Sequence, residues 1–463
     1  MIGLLLLPLL YLPAALWLPS ASLFPSALIF GSGVLALSLD LARLTLQGPL
    51  TLAGGALYLD GFGALVLLSV AFLIFQSAWQ GKAYLDELNA PPQIARRYWI
   101  LWGFFGLSML ATPLLANLAL YWGLIELTTL SSALLVAFEE SPEALEGAWK
   151  YVVVVSVGVS LAFLATLFLY AARGHLSWPL LLRNAASLHR PWVLLAFFLA
   201  TLGYGTKVGL VPMHTWLPDA HSVAPSPISA MLSGALLNTA LLGLVRFWQI
   251  ARASLGAHWP DQTLLLFGLL SLAVAALSLG VQRKTKRLLA YSSIEHMGLI
   301  TLALGLSAPY LAFLQMINHT VVKSSLFLAA GNLVHRLGET LSEASGVLFR
   351  MPITGISLLL GGWAITGAPP LNLFPSEFGI LQRAFYQSPW LGALLALLLL
   401  IVFLLFIGRW SQLLFPKSSP PPREHEAPWT SLVPLVLGLG LLVWLSLMTP
   451  LPLQLLLRGL HAH

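Results

Sequence analysis

The stretch GTKVGLVPMHTWLPDAH, from Gly205 to His221, decides how the rest of the chain is read. An apolar run that opens near Trp192 carries Lys207 deep inside it, and five residues later Pro212 lacks the backbone N–H that a helix needs. The expectation is a helix broken at Pro212. Two histidines, His214 and His221, and one carboxylate, Asp219, follow before Pro225 opens the next apolar run. The two histidines are placed where this span meets water, with loop ordering as the alternative to conduction. Inside a bilayer, irregular backbone is tolerated only within protein or beside water, and an ionisable side chain there marks an ion pathway by default. The stretch reads as the working part of an ion path.

Composition supports a membrane setting. Of 463 residues, 58% are hydrophobic and 9% charged, against about a quarter charged in soluble proteins. The net charge of +6 is expected to reflect orientation in a bilayer, not a nucleic-acid surface. The apolar segment from Ile2 to Pro19 lacks a basic n-region and a small-residue cleavage site, so it reads as the first span. There is no cysteine. Iron–sulfur clusters depend on thiolates, so any iron–sulfur or nickel–iron centre is expected in partner subunits only; a flavin or quinone is likewise expected only there. No catalytic, cofactor-binding or metal-ligating set is assigned to this chain.

Counting apolar runs of about 20 residues yields about fourteen spans: 2–19, 22–43, 58–80, 98–116, 117–138, 149–172, 192–217, 225–251, 262–281, 287–306, 309–334, 353–387, 390–414 and 430–449. The twelfth is interrupted at Gly367, Ala368, Pro369 and Pro370, and again at Pro375. The fold class expected is an all-α integral membrane protein of two inverted five-helix repeats, each with a broken helix. The divisions are 1–57 for the first two helices, 58–97 for helix three and a basic loop, 98–253 and 254–414 for the repeats, and 415–463 for a loop, helix fourteen and a short tail. Paired broken helices in inverted halves point to a transport site.

Loop charge orients the chain. Loops after odd-numbered spans hold Lys82, Arg96, Arg97, Lys150, Arg283, Lys284, Lys286, Arg287, Arg336, Arg350, Arg409, Lys417 and Arg423, thirteen in all. The other side holds eight: Arg43, Arg173, Arg183, Arg190, Arg246, Arg252, Arg383 and Arg458. The positive-inside rule then places both termini outside a cell (inner) membrane.

Few ionisable groups fall inside spans. They are Glu126, Lys207, Glu295, His296, His319, Lys323 and Glu377. Each charge at bilayer centre costs about 2.5–3.5 kcal/mol, so the five carboxylates and lysines would cost roughly 12–18 kcal/mol if isolated, more than the usual stability of about 5–15 kcal/mol. They must pair or meet water. A line of alternating acids and bases is what a proton relay requires. The primary line is Glu126, Lys207, His319, Lys323 and Glu377; Asn238, Glu295, His296, His214, His221 and Asp219 are secondary candidates. His319 and Lys323 stand four apart on one helix face. A like-charged pair is unfavourable, so His319 is expected neutral and able to exchange a proton with Lys323. Glu295 and His296 are adjacent and are expected to point to different faces. Glu377 has a bland alternative as the cap of a second half-helix, and Asp60 as the cap of span three. Asn238 cannot titrate and is a candidate to hold water.

These motifs resemble the antiporter-like, proton-translocating membrane subunits of respiratory complex I and the group 4 membrane-bound hydrogenases. The resemblance spans roughly residues 58–410 and rests on Glu126, on Lys207 followed by VPMHTWLPDAHSVAPSPISA, on KRLLAYSSIEHMG and on NHTVVKSSLFLAAGN. ELTTLSSALLV and AWKYVVV make it look most like the F component of hydrogenase-4. The resemblance implies fourteen helices, a half-channel in each repeat, Glu126 and Lys207 as a switching pair, Lys323 as central relay and Glu377 as exit group. It also implies other membrane subunits and a peripheral iron–sulfur electron-transfer arm as partners, beside the lipid bilayer. Two departures are visible. Relatives often carry a lysine or histidine where Asn238 stands, and the stretch from Pro450 to His463 is too short for the lateral helix of one complex I paralogue.

Two other classes account for parts of the sequence. A multisubunit cation/proton secondary antiporter shares this architecture and needs no electron donor. A haem-bearing quinone enzyme would use His296 and His319 as axial ligands, and a Soret band would mark it; the transport motifs account for those residues better.

Overall fold

The computed structural model describes residues 1–416, 423–448 and 451–459. Lys417 and the side chain of Arg458 in the charge balance, and residues 449–450 and 460–463 of the tail, lie outside the described residues.

The apolar runs form helices, and their ends follow local chemistry. Helix α1 (Ile2–Trp17) and α2 (Leu23–Thr45) precede a small hairpin, Leu50–Leu52 paired antiparallel with Leu57–Leu59, with Leu50 opposite Leu59. The sequence reading did not anticipate it. Asp60 then caps α3 (Gly61–Glu87), accepting from the Gly63 N–H at 2.9 Å. Next come α4 (Pro92–Ala111), α5 (Leu118–Val136), capped by Asn117, and α6 (Pro142–Arg173), capped by Ser141. Helix α7 (Arg190–Val208) leads to a short helix, Trp216–Val223, and α8 (Ser226–Leu255) contains a π-helical turn at Leu232–Leu236. The second half continues with α9 (His258–Leu279), α10 (Thr285–Gly305), α11 (Pro309–Leu337), α12 (Pro352–Ile365), α13 (Leu373–Gln387), α14 (Pro389–Leu414), α15 (Trp429–Leu447) and α16 (Leu451–Gly459).

Several helices outrun their apolar cores. α4 starts at Pro92 and α6 at Pro142, because proline is well placed in a first helical turn and charged residues extend the helix beyond the bilayer. The divisions drawn at 97/98 and 253/254 therefore fall inside α4 and α8.

Ten helical segments among the described residues are long and apolar enough to cross a membrane. The chain is a multi-pass membrane protein. Burial grades from centre to rim: α8 is enclosed on all sides, whereas α14 presents Leu394, Leu397, Leu400 and Leu404 outward. Such faces suit lipid tails. Lipid offers no hydrophobic drive for helix association, so small residues at contacts carry it. Gly203 of α7 lies against the backbone of Ala162 on α6, and Gly268 of α9 against Gly298 of α10. A methyl group at either contact would collide with the neighbouring backbone.

Both broken helices form, with corrections to where they break. α7 ends at Gly209, not Pro212. Gly209 adopts φ +84°, and the Leu210 N–H closes on the Gly205 carbonyl at 2.8 Å, a turn that needs a residue without Cβ strain. The chain has already left the helix when Pro212 arrives. In the twelfth span the break covers residues 366–372, but Pro375 breaks nothing. It sits in the first turn of α13, where no intrahelical acceptor waits for its missing N–H.

Candidate functional site

Three helices build the first cluster. The cap at Gly209 leaves Lys207 in the last turn of α7, where a cation complements the helix dipole. The side chain is fully buried, and its Nζ donates to Thr129 Oγ1 on α5 at 2.6 Å and to Tyr151 OH on α6 at 3.1 Å. The Tyr151 hydroxyl also meets Ser132 Oγ at 2.7 Å. Glu126 lies one turn before Thr129 on α5 and is half-buried; Ser156 donates to its Oε1 at 3.3 Å, and its Oε2 has no hydrogen-bond partner. The lysine's hydrogen bonds thus go to neutral hydroxyls, and the carboxylate is bonded elsewhere.

The segment after the break seals this cluster. Trp216 donates from Nε1 to the Thr206 carbonyl at 2.8 Å, beside the Gly209 N–H that reaches the same oxygen at 3.1 Å, and its ring lies tilted by 38° on Tyr151 with centroids 4.7 Å apart. His214 is half-buried with Nδ1 unpartnered. Asp219 accepts from Arg287 at 2.5 Å and lies 3.6 Å from Lys150, beside a polar cavity of about 370 Å³. It ties α6 to α10. His221 does not face water as expected. The helix Trp216–Val223 packs inward against α6 and α10, so His221 is fully buried and stacks on Phe327 at 4.7 Å. Neither of its ring nitrogens has a protein partner.

Asn238 stands just after the π turn of α8, a feature that often marks function. Its Nδ2 donates to the Gly234 carbonyl at 2.7 Å and to Thr320 Oγ1 on α11 at 2.8 Å. Its Oδ1 is buried with no hydrogen-bond partner.

The second cluster joins α10, α11, α12 and α13. Lys323 is fully buried and donates to the Leu289 carbonyl and to Ser292 Oγ, each at 2.6 Å. His319, one turn earlier, has two unpartnered ring nitrogens, and its ring centre lies 5.3 Å from that of His296. Glu295 and His296 converge, contrary to expectation: Glu295 Oε2 lies 3.2 Å from His296 Nε2. A glutamate is long enough to curl back to its neighbour when desolvation discourages any other direction. Gln315 completes the group, placing its Nε2 3.0 Å from His296 Nδ1 and 3.1 Å from Glu377 Oε1 and accepting from Ser376. His296 Nε2 reaches the carbonyl of Ile365, the last residue of α12, at 2.9 Å. This set is consistent with a neutral His296 protonated on Nε2. Glu377 makes no cap bond to α13. Asp60 does cap α3, and it also receives both Arg246 terminal nitrogens at 2.6 and 2.7 Å, with that guanidinium 3.8 Å from the Trp178 ring centre.

Sequence reasoning missed Thr129, Tyr151, Ser292 and Gln315. For Gln315 a signal existed, since Gln315, His319, Lys323 and Phe327 recur every four residues along one face of α11. Thr129 stands one turn from Glu126. Tyr151 and Ser292 gave no comparable sign.

The model of the family described as NADH:quinone oxidoreductase/Mrp antiporter, transmembrane, matches residues 93–403. A hydrogenase-4 component F homolog of Methylacidiphilum infernorum is 36% identical over 82% of each chain. Hydrogenase-4 component B of Escherichia coli is 29% identical over 86% of this chain, which spans 63% of that relative's length. Among solved structures, a chain of an archaeal membrane-bound sulfane sulfur reductase superposes with a TM-score of 0.87 at 24% identity, over 98% of this chain and 96% of that one. A chain of the Mrp complex from Dietzia superposes with a TM-score of 0.85 at 17% identity, covering 99% and 97%. At these identities the two structures establish a shared fold.

Proposed function

The chain belongs to the NADH:quinone oxidoreductase/Mrp antiporter transmembrane family, and from that premise we propose that it is the proton-translocating, non-redox membrane subunit of a multisubunit redox-driven pump. The pump is of the hydrogenase-4/formate hydrogenlyase or NADH:quinone oxidoreductase kind. In this reading the helices make fourteen crossings, with α12 and α13 as one broken span, arranged as two inverted five-helix repeats. Both termini face outside a cell (inner) membrane. Redox centres belong to a partner arm carrying iron–sulfur clusters.

The observation that carries the proposal is that Lys207 and Lys323 are both fully buried and both rest their ammonium groups on neutral oxygens. Electron transfer in the partner arm changes the distance between Glu126 and Lys207. When Glu126 approaches, Lys207 gains a counter-charge and holds its proton; when it withdraws, the hydroxyl cradle alone remains and the proton moves inward. His221, Asn238 and His319, each with an unpartnered buried polar atom, offer positions for bridging water along the way to Lys323. The proton leaves past Glu377, and re-pairing reloads Lys207 from the cytoplasm. A unit-charge interaction at about 4 Å is worth about 4 kcal/mol at an effective dielectric of about 20. Moving one charge through 100 mV costs about 2.3 kcal/mol. The switch is energetically sufficient.

Lys207→Met tests it. The complex assembles, and proton translocation measured in inverted vesicles is lost; an unchanged proton count would end the proposal. A second reading, a cation/proton secondary antiporter, draws on a component of a probable K(+)/H(+) antiporter of Rhizobium meliloti, 30% identical, of whose length this chain covers 40%. Nickel and iron analysis of the gently solubilised complex separates the two. Nickel with iron indicates a hydrogenase arm, iron alone a quinone, NADH or ferredoxin enzyme, and neither metal puts the antiporter first.

A further inference from the structure

We propose that Glu295, His296 and Glu377 form a binding site for a divalent transition-metal ion of the zinc class, closed by the end of the broken helix. One donor atom from each of the three lies within 4.8 Å of the other two. Around His296 Nε2, Glu295 Oε2 stands at 3.2 Å and the Ile365 carbonyl at 2.9 Å. Those are separations expected between ligands of one small ion whose own bonds are about 2.0–2.2 Å.

Three further observations point to a cation. Glu295 Oε2 is buried and accepts no hydrogen bond, which is costly for a carboxylate unless something else satisfies it. The Ile365 carbonyl ends half-helix α12, and half-helix C-termini with unwound carbonyls are where broken helices hold cations. His319 is fully buried beside His296 with both ring nitrogens unpartnered, a reserve donor at the rim. Charge agrees: two carboxylates face one neutral imidazole, and the nearest ammonium, Lys323, is turned away to Leu289 and Ser292. The imidazole selects the ion. Sodium, magnesium and calcium prefer all-oxygen shells, whereas a mixed nitrogen and carboxylate set suits zinc. Gln315 supplies the outer partner, since its amide nitrogen holds two of the three donors together, at 3.0 Å from His296 Nδ1 and 3.1 Å from Glu377 Oε1.

The site stands whether or not protons use this route, but an ion held there would occupy the exit of the proposed relay. The test uses the whole complex, loaded with zinc chloride, freed of unbound metal by gel filtration and assayed for zinc per copy of this chain. The expected result is one zinc equivalent present in the wild type and in Lys207→Met but lost in His296→Asn and in Glu377→Gln, with a nitrogen/oxygen shell in zinc X-ray absorption. Should those two variants fail to assemble, Glu295→Gln supplies the same comparison through a single charge. Equal zinc in the wild type and in every assembled variant, or a shell of sulfur alone, overturns the site. Zinc held at the site while wild-type proton translocation runs unchanged confirms the site and overturns the exit route past Glu377.

Discussion

Lys207 and Lys323 are both fully buried, and both direct their ammonium groups to neutral oxygens. Their surroundings differ. Around Lys207 there is one carboxylate, Glu126, bonded to Ser156 and separated from the lysine by a hydroxyl cradle. Beyond Lys323 stand two carboxylates, two imidazoles and a carboxamide; hydrogen bonds join His296, Gln315, Glu377 and the Ile365 carbonyl across four helices, while Glu295 and the His319 ring lie beside them. The first cluster has one variable, the distance from acid to base. The second has many interchangeable acceptors. Under the proposed function the first cluster switches and the second holds and releases a proton.

The largest effect is expected at Glu126 and Lys207. Glu126→Gln preserves shape and the bond from Ser156 but removes the counter-charge; translocation is expected to vanish in a complex that still assembles, as for Lys207→Met. Retained translocation in inverted vesicles would remove the distinction between the clusters. Next in size is a structural control. Asp60→Ala leaves Arg246 buried without its partner, at a cost of about 3–5 kcal/mol, so thermal stability and yield of the complex fall while the surviving fraction keeps its proton count. That outcome separates ion pairs that hold the bundle from those that move charge.

Smaller effects sharpen the contrast. Gln315→Ala removes the amide that joins Glu377 to His296. Hydrogen bonds to charged groups are worth about 1.5–3 kcal/mol, so translocation is expected to slow about 10–100-fold with little change in stability. Tyr151→Phe removes the more distant of the two acceptors of the Lys207 ammonium and leaves Thr129 Oγ1, and is expected to slow translocation less than about tenfold. A loss as large as that of Lys207→Met would place the Tyr151 hydroxyl within the path itself.

Pro212 and Pro375 show where reading from sequence misplaces a boundary. Proline is a strong sign of irregular backbone, yet a glycine cap three residues earlier ended α7, and a first-turn position made Pro375 harmless. His221 and Asp219 are two residues apart in one apolar-poor stretch, yet one is enclosed against Phe327 and the other lies in a surface ion-pair group. Nothing local distinguishes them; the docking of Trp216–Val223 between α6 and α10 does.

By itself the sequence determined the membrane setting, the existence of nearly every helix, the two interrupted spans and the identity of the few ionisable groups within them. These follow from apolar run length, proline and glycine placement and charge count, all of which act within a few residues. Tertiary structure alone decided that Lys207 rests on Thr129 and Tyr151, that Glu295 and His296 meet, and that Gln315 joins them to Glu377. Those contacts depend on how closely helices approach, which is set by glycine contacts such as Gly203 on Ala162. The need to satisfy every buried polar group in a medium without water then selects among the partners that come within reach.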